Sequence, residues 1–103
     1  MELVYHEKAA SDLDHIWTYV EVHSGANVAD DLVTRLNETL WSTVARQPRS
    51  GSQRPEFGAD VRSFPIIPYV AFYEIEAKRV IVLRILHGRR DLRQPLMSLI
   101  AAS

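Results

Sequence analysis

Cysteine is absent from this chain of 103 residues, which excludes disulfide bonds and zinc sites built on thiolates. No apolar run approaches the roughly 20 residues that a helix needs to cross a bilayer. The first ten residues, MELVYHEKAA, lack the basic and apolar regions of a secretory signal. We therefore expect a cytoplasmic protein without membrane contact, folded as a single domain over residues 1–103.

Sequence motifs of common catalytic chemistry are also missing. The four glycines are scattered, so the chain has no glycine-rich phosphate loop. Serines such as Ser63 have no evident base beside them in the sequence. Four histidines are present, but none has the spacing of a metal-ligand motif, and we expect neither a metal nor a cofactor. They are His6, His15, His23 and His87.

Charge is divided unevenly along the chain. Residues 1–45 hold two bases and eight acids, whereas residues 46–103 hold ten bases and five acids. Nine of those ten bases are arginines, whose planar guanidinium binds carboxylates and phosphates in a bidentate manner. Two interpretations remain open: an ordinary solvated surface, or a basic face that meets an anionic partner.

Two apolar stripes at helical spacing dominate the first half of the chain. We expect His6 or a neighbour to cap the first helix and Gly25 to end it in the left-handed conformation. Asn27 is a plausible cap for the second helix, with Asp30 and Asp31 in its first turn. Pro48 should stop it. The stripes comprise Leu13, Ile16, Trp17 and Val20, then Ala29, Leu32, Val33, Leu36, Leu40 and Val44.

Strand patterns surround these helices, and residues 47–60 have the composition of a loop. The element order β-α-α-β-β-β predicts an α+β fold in which a helical hairpin packs on one face of a small antiparallel sheet. The predicted strands are Leu3–Tyr5, Val61–Phe64, Tyr69–Glu76 and Arg79–His87.

The last two strands form a hairpin if Ala77 and Lys78 make a two-residue loop. Ile75 then opposes Val80, Tyr73 opposes Val82, and Ala71 opposes Arg84. Because side chains alternate along a strand, the hairpin should have one face open to a partner and a more apolar face under the helices. The open face is predicted to carry Tyr69, Ala71, Tyr73, Val82, Arg84 and Leu86. The helix-covered face is predicted to carry Val70, Phe72, Ile81, Leu83, Ile85 and His87.

These polar side chains also admit a nuclease interpretation. Cleavage of RNA needs a base, an acid and a cation for the developing charge. Tyr69, Tyr73, Arg84 and His87 are residue types that supply those roles. The alternative is structural: the tyrosines pack, Arg84 pairs with a carboxylate, and backbone groups satisfy the His87 ring.

Three segments resemble the ParE toxins of bacterial toxin–antitoxin pairs, within the ParE/RelE superfamily. They are RSFP at residues 62–65, YVAFYEIE at residues 69–76 and VLRILHGRRDL at residues 82–92. DLDHIWTYV, at residues 12–20, is similar to the first helix of the family. The fold that the resemblance implies agrees with the predicted element order.

The resemblance implies a type II toxin that inhibits or poisons DNA gyrase without an enzymatic reaction. It also implies a cognate ParD-like antitoxin of the ribbon-helix-helix type with a disordered C-terminal segment, and DNA contact only through the antitoxin or gyrase. The basic second half of the chain predicts that this segment is acidic. Candidate target contacts are Arg84, His87, Arg89, Arg90 and Asp91. Candidate antitoxin contacts are Arg62, Tyr69, Tyr73, Arg84 and Leu86, with Arg89 and Arg90 as further carboxylate sites.

Two alternatives remain within the superfamily. RelE-like members cleave messenger RNA on the ribosome and usually carry an aromatic or basic residue near the C-terminus. After His87 this chain has no Tyr, Phe, Trp, His or Lys, so it lacks an aromatic platform for stacking an RNA base. That difference favours gyrase over RNA as the target. The other alternative is an inactive relative that only binds an antitoxin.

Overall fold

A helical hairpin covers one face of a five-stranded sheet in the computed structural model, which describes residues 1–89. Helix α1 spans Glu7–Ser24 and helix α2 spans Ala26–Thr39, as the two apolar stripes predicted. The strands are β1 (Glu2–Tyr5), β2 (Ser52–Gln53), β3 (Val61–Ile66), β4 (Tyr69–Glu76) and β5 (Arg79–His87).

The strands are arranged in the order β1-β5-β4-β3-β2. The predicted α+β fold, a helical hairpin on a small sheet, is confirmed. Three neighbouring strand pairs are antiparallel as expected, but β1 runs parallel to β5, so the sheet is mixed. Parallel neighbours need a long crossover between them, and here the chain from α1 to β4 provides it. The short strand β2 was also not predicted, since it lies within the loop-like segment.

The helix ends match the predictions only in part. The His6 ring caps α1, because its Nδ1 accepts a hydrogen bond from the Lys8 amide at 3.1 Å. Gly25 joins the two helices with φ 92° and ψ 162°, so its φ is positive but it is not in the left-handed helical conformation. Gly25 also precedes α2, which has no side-chain cap, so the prediction for Asn27 is wrong. No acid lies in the first turn of α2.

A π-helical turn over Leu40–Val44 extends α2. The Ala45 amide donates to the Leu40 carbonyl at 2.8 Å, a bond that spans five residues. Leu40 and Val44 are both buried within this turn. Pro48 then opens a short 3-10 turn, as expected of a residue that cannot continue a helix.

The main core lies between the helices and the sheet. Leu36 is fully buried there as the stripe predicted, whereas Trp17 is only half-buried and donates its Nε1 hydrogen to Asp30 at 2.8 Å. Truncating a buried leucine typically costs about 2–5 kcal/mol, which makes this interface a main source of stability. The largest fully buried side chains of this main core include Tyr73, Leu36, Leu40, Val44, Val80 and Val82.

The β4–β5 hairpin has the predicted two-residue loop, with Ile75 opposite Val80 and Tyr73 opposite Val82. A β-bulge then shifts the register between Phe72 and Tyr73. Ala71 therefore opposes Ile85 and not Arg84, so the predicted pairing is wrong beyond this point.

The predicted assignment of sheet faces is also wrong. Tyr69, Ala71, Tyr73 and Val82 pack in the core under the helices, where they were expected to be open to a partner. Val70, Phe72 and Leu83 pack instead in a second cluster with Leu86, beneath Phe57. Ile85 does lie in the main core, as predicted, because the bulge moves it to the helix-covered face.

None of the helices within residues 1–89 is both long enough and apolar enough to span a membrane.

Candidate functional site

Arg84 lies where β5 continues beyond the end of β1. The last β1 residue, Tyr5, pairs with Val82, so within residues 1–89 no strand pairs with the remainder of β5 on that side. Asp12 of α1 covers this edge: it accepts from Arg84 Nε at 2.8 Å, from Arg84 Nη2 at 2.9 Å and from the Ile85 amide at 2.9 Å. The ion pair is largely buried, since the two side chains are 16% and 11% exposed. Arg84 is therefore part of the joint between α1 and β5.

The Tyr73 hydroxyl organises the segment that precedes β2. It donates to the Pro48 carbonyl at 2.6 Å and accepts from the Gly51 amide at 3.0 Å. Burial raises the pKa of Tyr73 above its ordinary value, while the Gly51 hydrogen bond and the charge of Arg62 act in the opposite direction. Tyr73 is thus a neutral structural hydrogen-bonding group with no exposed surface.

Arg62, the expected carboxylate-binding residue of β3, contacts the same segment. Its Nη1 donates to the Gly51 carbonyl at 2.8 Å and to the Arg49 carbonyl at 3.2 Å. Its side chain therefore helps to hold the 3-10 turn against the sheet. It remains partly exposed, so a partner can still reach it.

Leu86 is buried with Phe72 in the second cluster, on the opposite side of the sheet from the tyrosines. Phe57 covers Phe72 with an edge-on contact, the ring centroids lying 6.1 Å apart. The predicted grouping of Leu86 with Tyr69 and Tyr73 on one exposed surface is therefore wrong.

His87 and Arg89 lie together at the end of β5. The Arg89 amide donates to His87 Nδ1 at 3.1 Å, which agrees with the structural interpretation of a histidine satisfied by backbone. The His87 ring also meets Tyr69 edge-on at 5.4 Å. The Gly88 amide donates to the Pro68 carbonyl at 2.8 Å and fixes this end of the strand. Arg90 and Asp91, the other candidate target contacts, lie outside the described residues.

Two neighbouring cavities open at the other end of the sheet, beside Ile75. The larger has a volume of about 420 Å³ and the smaller about 160 Å³, and Arg49 and Ile75 line both. Asp60 and Arg62 line the smaller cavity. The other residues lining the larger one are Met1, Gln47, Pro48 and Ser50.

Metal-ligand geometry is absent from the part of the chain that the structure describes: no three His, Asp or Glu side chains converge there.

Sequence reasoning missed three residues that shape these sites: Asp12, Arg49 and Phe57. The sequence did contain a signal for Asp12, because it is three residues after Ala9 and four before Ile16 and therefore lies on the same face of α1. The structure buries all three residues. An acid within an apolar stripe requires a buried partner. The sequence contains no such signal for Arg49 and Phe57, because both belong to the loop-like segment, where periodicity gives no information.

The fold and this arrangement define a small α+β protein with an exposed arginine at one end of its sheet and two cavities at the other. The chain belongs to the family described as ParE toxin of the type II toxin–antitoxin system parDE, whose model matches residues 3–92. It is therefore a ParE-type toxin of a type II toxin–antitoxin system, and this family membership supports action by binding and not by catalysis.

Relatives of known name agree with this assignment. Toxin ParE3 of Caulobacter vibrioides is 30% identical over 81% of this chain and 82% of the relative. Toxin ParE1 of the same organism is 33% identical over 84% of this chain and 88% of the relative. A solved structure described as the chromosomal ParDE system from P. aeruginosa has 28% identity and a TM-score of 0.72, covering 84% of this chain and 95% of that one.

Proposed function

We propose that this toxin poisons DNA gyrase by binding it, and that a cognate ParD-like antitoxin with an acidic C-terminal segment silences it. The observation that supports this most is the match to the ParE family over residues 3–92. The alternative function is that of a nuclease that cleaves messenger RNA on the ribosome.

The geometry of the candidate catalytic residues supports a binding mode of action. Tyr73 is fully buried and engaged with the backbone of Pro48 and Gly51. Arg84 is committed to Asp12 in a bidentate pair. A nuclease needs its acid and its cation exposed to the RNA backbone, and neither of these groups meets that requirement.

Within this proposal, the end of β5 is the target-contact site. Arg89 is exposed, and its side chain makes no hydrogen bond or ion pair with other residues in the range 1–89. Contacts with Tyr69 and Pro68 hold the adjacent His87 and Gly88 in place. An unpaired arginine on a fixed support suits recognition of carboxylate or phosphate groups. Arg90 and Asp91 stay in the proposal as sequence neighbours of this site.

Controlled expression in bacteria tests the proposal. We expect slowed growth with induction of the DNA-damage response while translation continues. Co-expression of the ribbon-helix-helix protein expected from the neighbouring reading frame should restore growth. Rapid cleavage of ribosome-bound transcripts without DNA damage would instead support the nuclease, and unaffected growth would support an inactive relative.

A further inference from the structure

The two cavities beside Ile75, together called the groove because Arg49 and Ile75 line both, support an inference about the antitoxin that rests on the function proposed above. We propose that this groove is the anchoring site for an acidic, amphipathic segment of the antitoxin. One apolar face of the segment enters the groove, and its carboxylates pair with Arg49 and Arg62. The volume, charge, rigidity and position of the groove support this assignment.

The groove has room for side chains of a partner and an apolar surface to receive them. The larger of its two cavities has a volume of about 420 Å³, which falls within the roughly 300–1,000 Å³ of typical ligand-binding clefts. Met1, Pro48 and Ile75 supply apolar wall, and Ile75 also contacts the main core. An apolar cleft bordered by a few polar groups favours an amphipathic occupant over a purely charged one.

The charge at the groove favours an acidic occupant. Arg49 is exposed, and its guanidinium has no hydrogen bond or ion pair with the described residues. Arg62 uses Nη1 for two carbonyls, and its Nε and Nη2 groups make no hydrogen bond with residues 1–89, which leaves them for a carboxylate. Asp60 contributes one negative charge to the smaller cavity against these two positive charges. Each guanidinium is suited to bidentate carboxylate binding.

Hydrogen bonds to the sheet hold the backbone that lines the groove in the toxin without a partner. Tyr73 ties Pro48 and Gly51 to the sheet, and Arg62 ties the Arg49 and Gly51 carbonyls to β3. A preformed site loses little conformational entropy on binding, so more of the contact energy appears as affinity. Only the antitoxin segment then needs to become ordered.

The groove is remote from the proposed target-contact site. Ile75 is near one end of β4, whereas Tyr69, which lies opposite His87, begins the other end. Ile75 is six positions along the strand from Tyr69, a distance of about 20 Å at the usual rise per residue. Substitutions in the groove should therefore weaken antitoxin binding without removing toxicity, which makes the two functions separable by experiment.

Three variants of the full-length toxin test the proposal against the cognate antitoxin of the neighbouring reading frame. Arg49→Glu reverses the charge at the rim, and Gln47→Trp fills the groove without changing its charge. Arg46→Glu is the matched control, because Arg46 is exposed but lines neither cavity. Antitoxin dissociation constants at about 0.15 M salt isolate local effects, since the Debye length there is about 8 Å. Unfolding midpoints and growth inhibition verify that each variant is folded and active.

We expect Arg49→Glu and Gln47→Trp to weaken antitoxin binding by about tenfold or more while toxicity is retained, and Arg46→Glu to change it by less than about threefold. If the antitoxin binds Arg49→Glu and Gln47→Trp as tightly as the wild type, the groove is not its anchor and the proposal is wrong. If the wild-type toxin neither slows growth nor binds the antitoxin, both the groove and the proposed function are wrong.

Discussion

At the scale of single residues, Arg84 shows how a residue that resembles a functional group can have a structural role. The Asp12–Arg84 pair lies at the edge of β5, beyond the point where β1 ends. Asp12 also accepts a hydrogen bond from the Ile85 backbone amide. Both side chains are largely shielded from water. Removing one member of such a pair leaves an uncompensated charge in the protein interior.

The structural role of Arg84 can be measured directly. Asp12→Ala and Arg84→Ala should each lower the free energy of unfolding by about 3–5 kcal/mol, because the remaining charge loses its partner. The control is Arg79→Ala, which removes an exposed pair with Glu76 at 3.6 Å and should cost about 1 kcal/mol or less. Equal, small losses in chemical denaturation for all three variants would contradict the account.

Tyr5 gives the fold a dependence on alkaline pH. Its hydroxyl donates to Asn37 Oδ1 at 2.6 Å, and burial raises the pKa of Tyr5 from 10.0 to about 12. Because the folded-state pKa is the higher one, this contribution to stability is fully present below pH 10.0 and is lost as the pH rises toward about 12.

The comparison of wild type with Tyr5→Phe isolates that effect. Between about pH 9 and pH 11, the wild type should lose more unfolding free energy than Tyr5→Phe, which has no phenol to ionise at this position. Tyr73 is present in both proteins and contributes equally to each, so the difference reports Tyr5. Parallel pH profiles for the two proteins would show that burial of Tyr5 does not disfavour its ionisation.

At the scale of secondary-structure elements, Gly25 is the joint of the helical hairpin. Its φ of 92° and ψ of 162° fall in a region that is essentially restricted to glycine. A Cβ at this position would meet no atom within 4 Å. Backbone strain and not crowding therefore determines the cost of a substitution here.

Gly25→Ala should reduce the free energy of unfolding by about 1–3 kcal/mol. The matched control is Ser24→Ala, one residue earlier and equally exposed, which should stay within about 0.5 kcal/mol of the wild type. Urea or thermal unfolding gives both values. A Gly25→Ala protein as stable as the control would contradict the assigned backbone conformation.

The sequence predicted these elements well where local periodicity determines them. Both helices follow from apolar stripes, and the hairpin loop at Ala77 and Lys78 follows from two adjacent strand patterns. The prediction failed beyond Tyr73, because a β-bulge between Phe72 and Tyr73 shifts the register there, and strand alternation alone does not reveal a bulge. A one-residue change of register moves every later side chain to the other face.

The identity of the helix-covered face could not be read from apolar content alone. Both faces of the hairpin carry apolar residues, and the chain covers both: the helices lie on one, and Phe57 from the loop-like segment lies on the other. A loop without periodicity gives no sign that it will bury Phe72. The tyrosines were therefore assigned to a partner when they belong to the core.

At the scale of the whole molecule, the two ends of the sheet are proposed to serve different partners. The end with His87 and Arg89 is the proposed target contact, and the end with Arg49 and Arg62 is the proposed antitoxin anchor. Both are basic and both belong to the half of the chain that carries ten bases against five acids. Separate sites allow the antitoxin to hold the toxin at one end while the rest of its segment extends along the protein.

Purified DNA gyrase provides the most direct test of the central claim that this chain is a gyrase poison. With supercoiled plasmid and ATP, the wild-type toxin should make gyrase accumulate cleavage complexes that yield linear plasmid. Arg89→Ala should require about tenfold more protein for the same effect, whereas Arg79→Ala, at the opposite end of β5, should act like the wild type. Undisturbed gyrase activity alongside rapid cleavage of ribosome-bound transcripts would contradict the account and identify a nuclease.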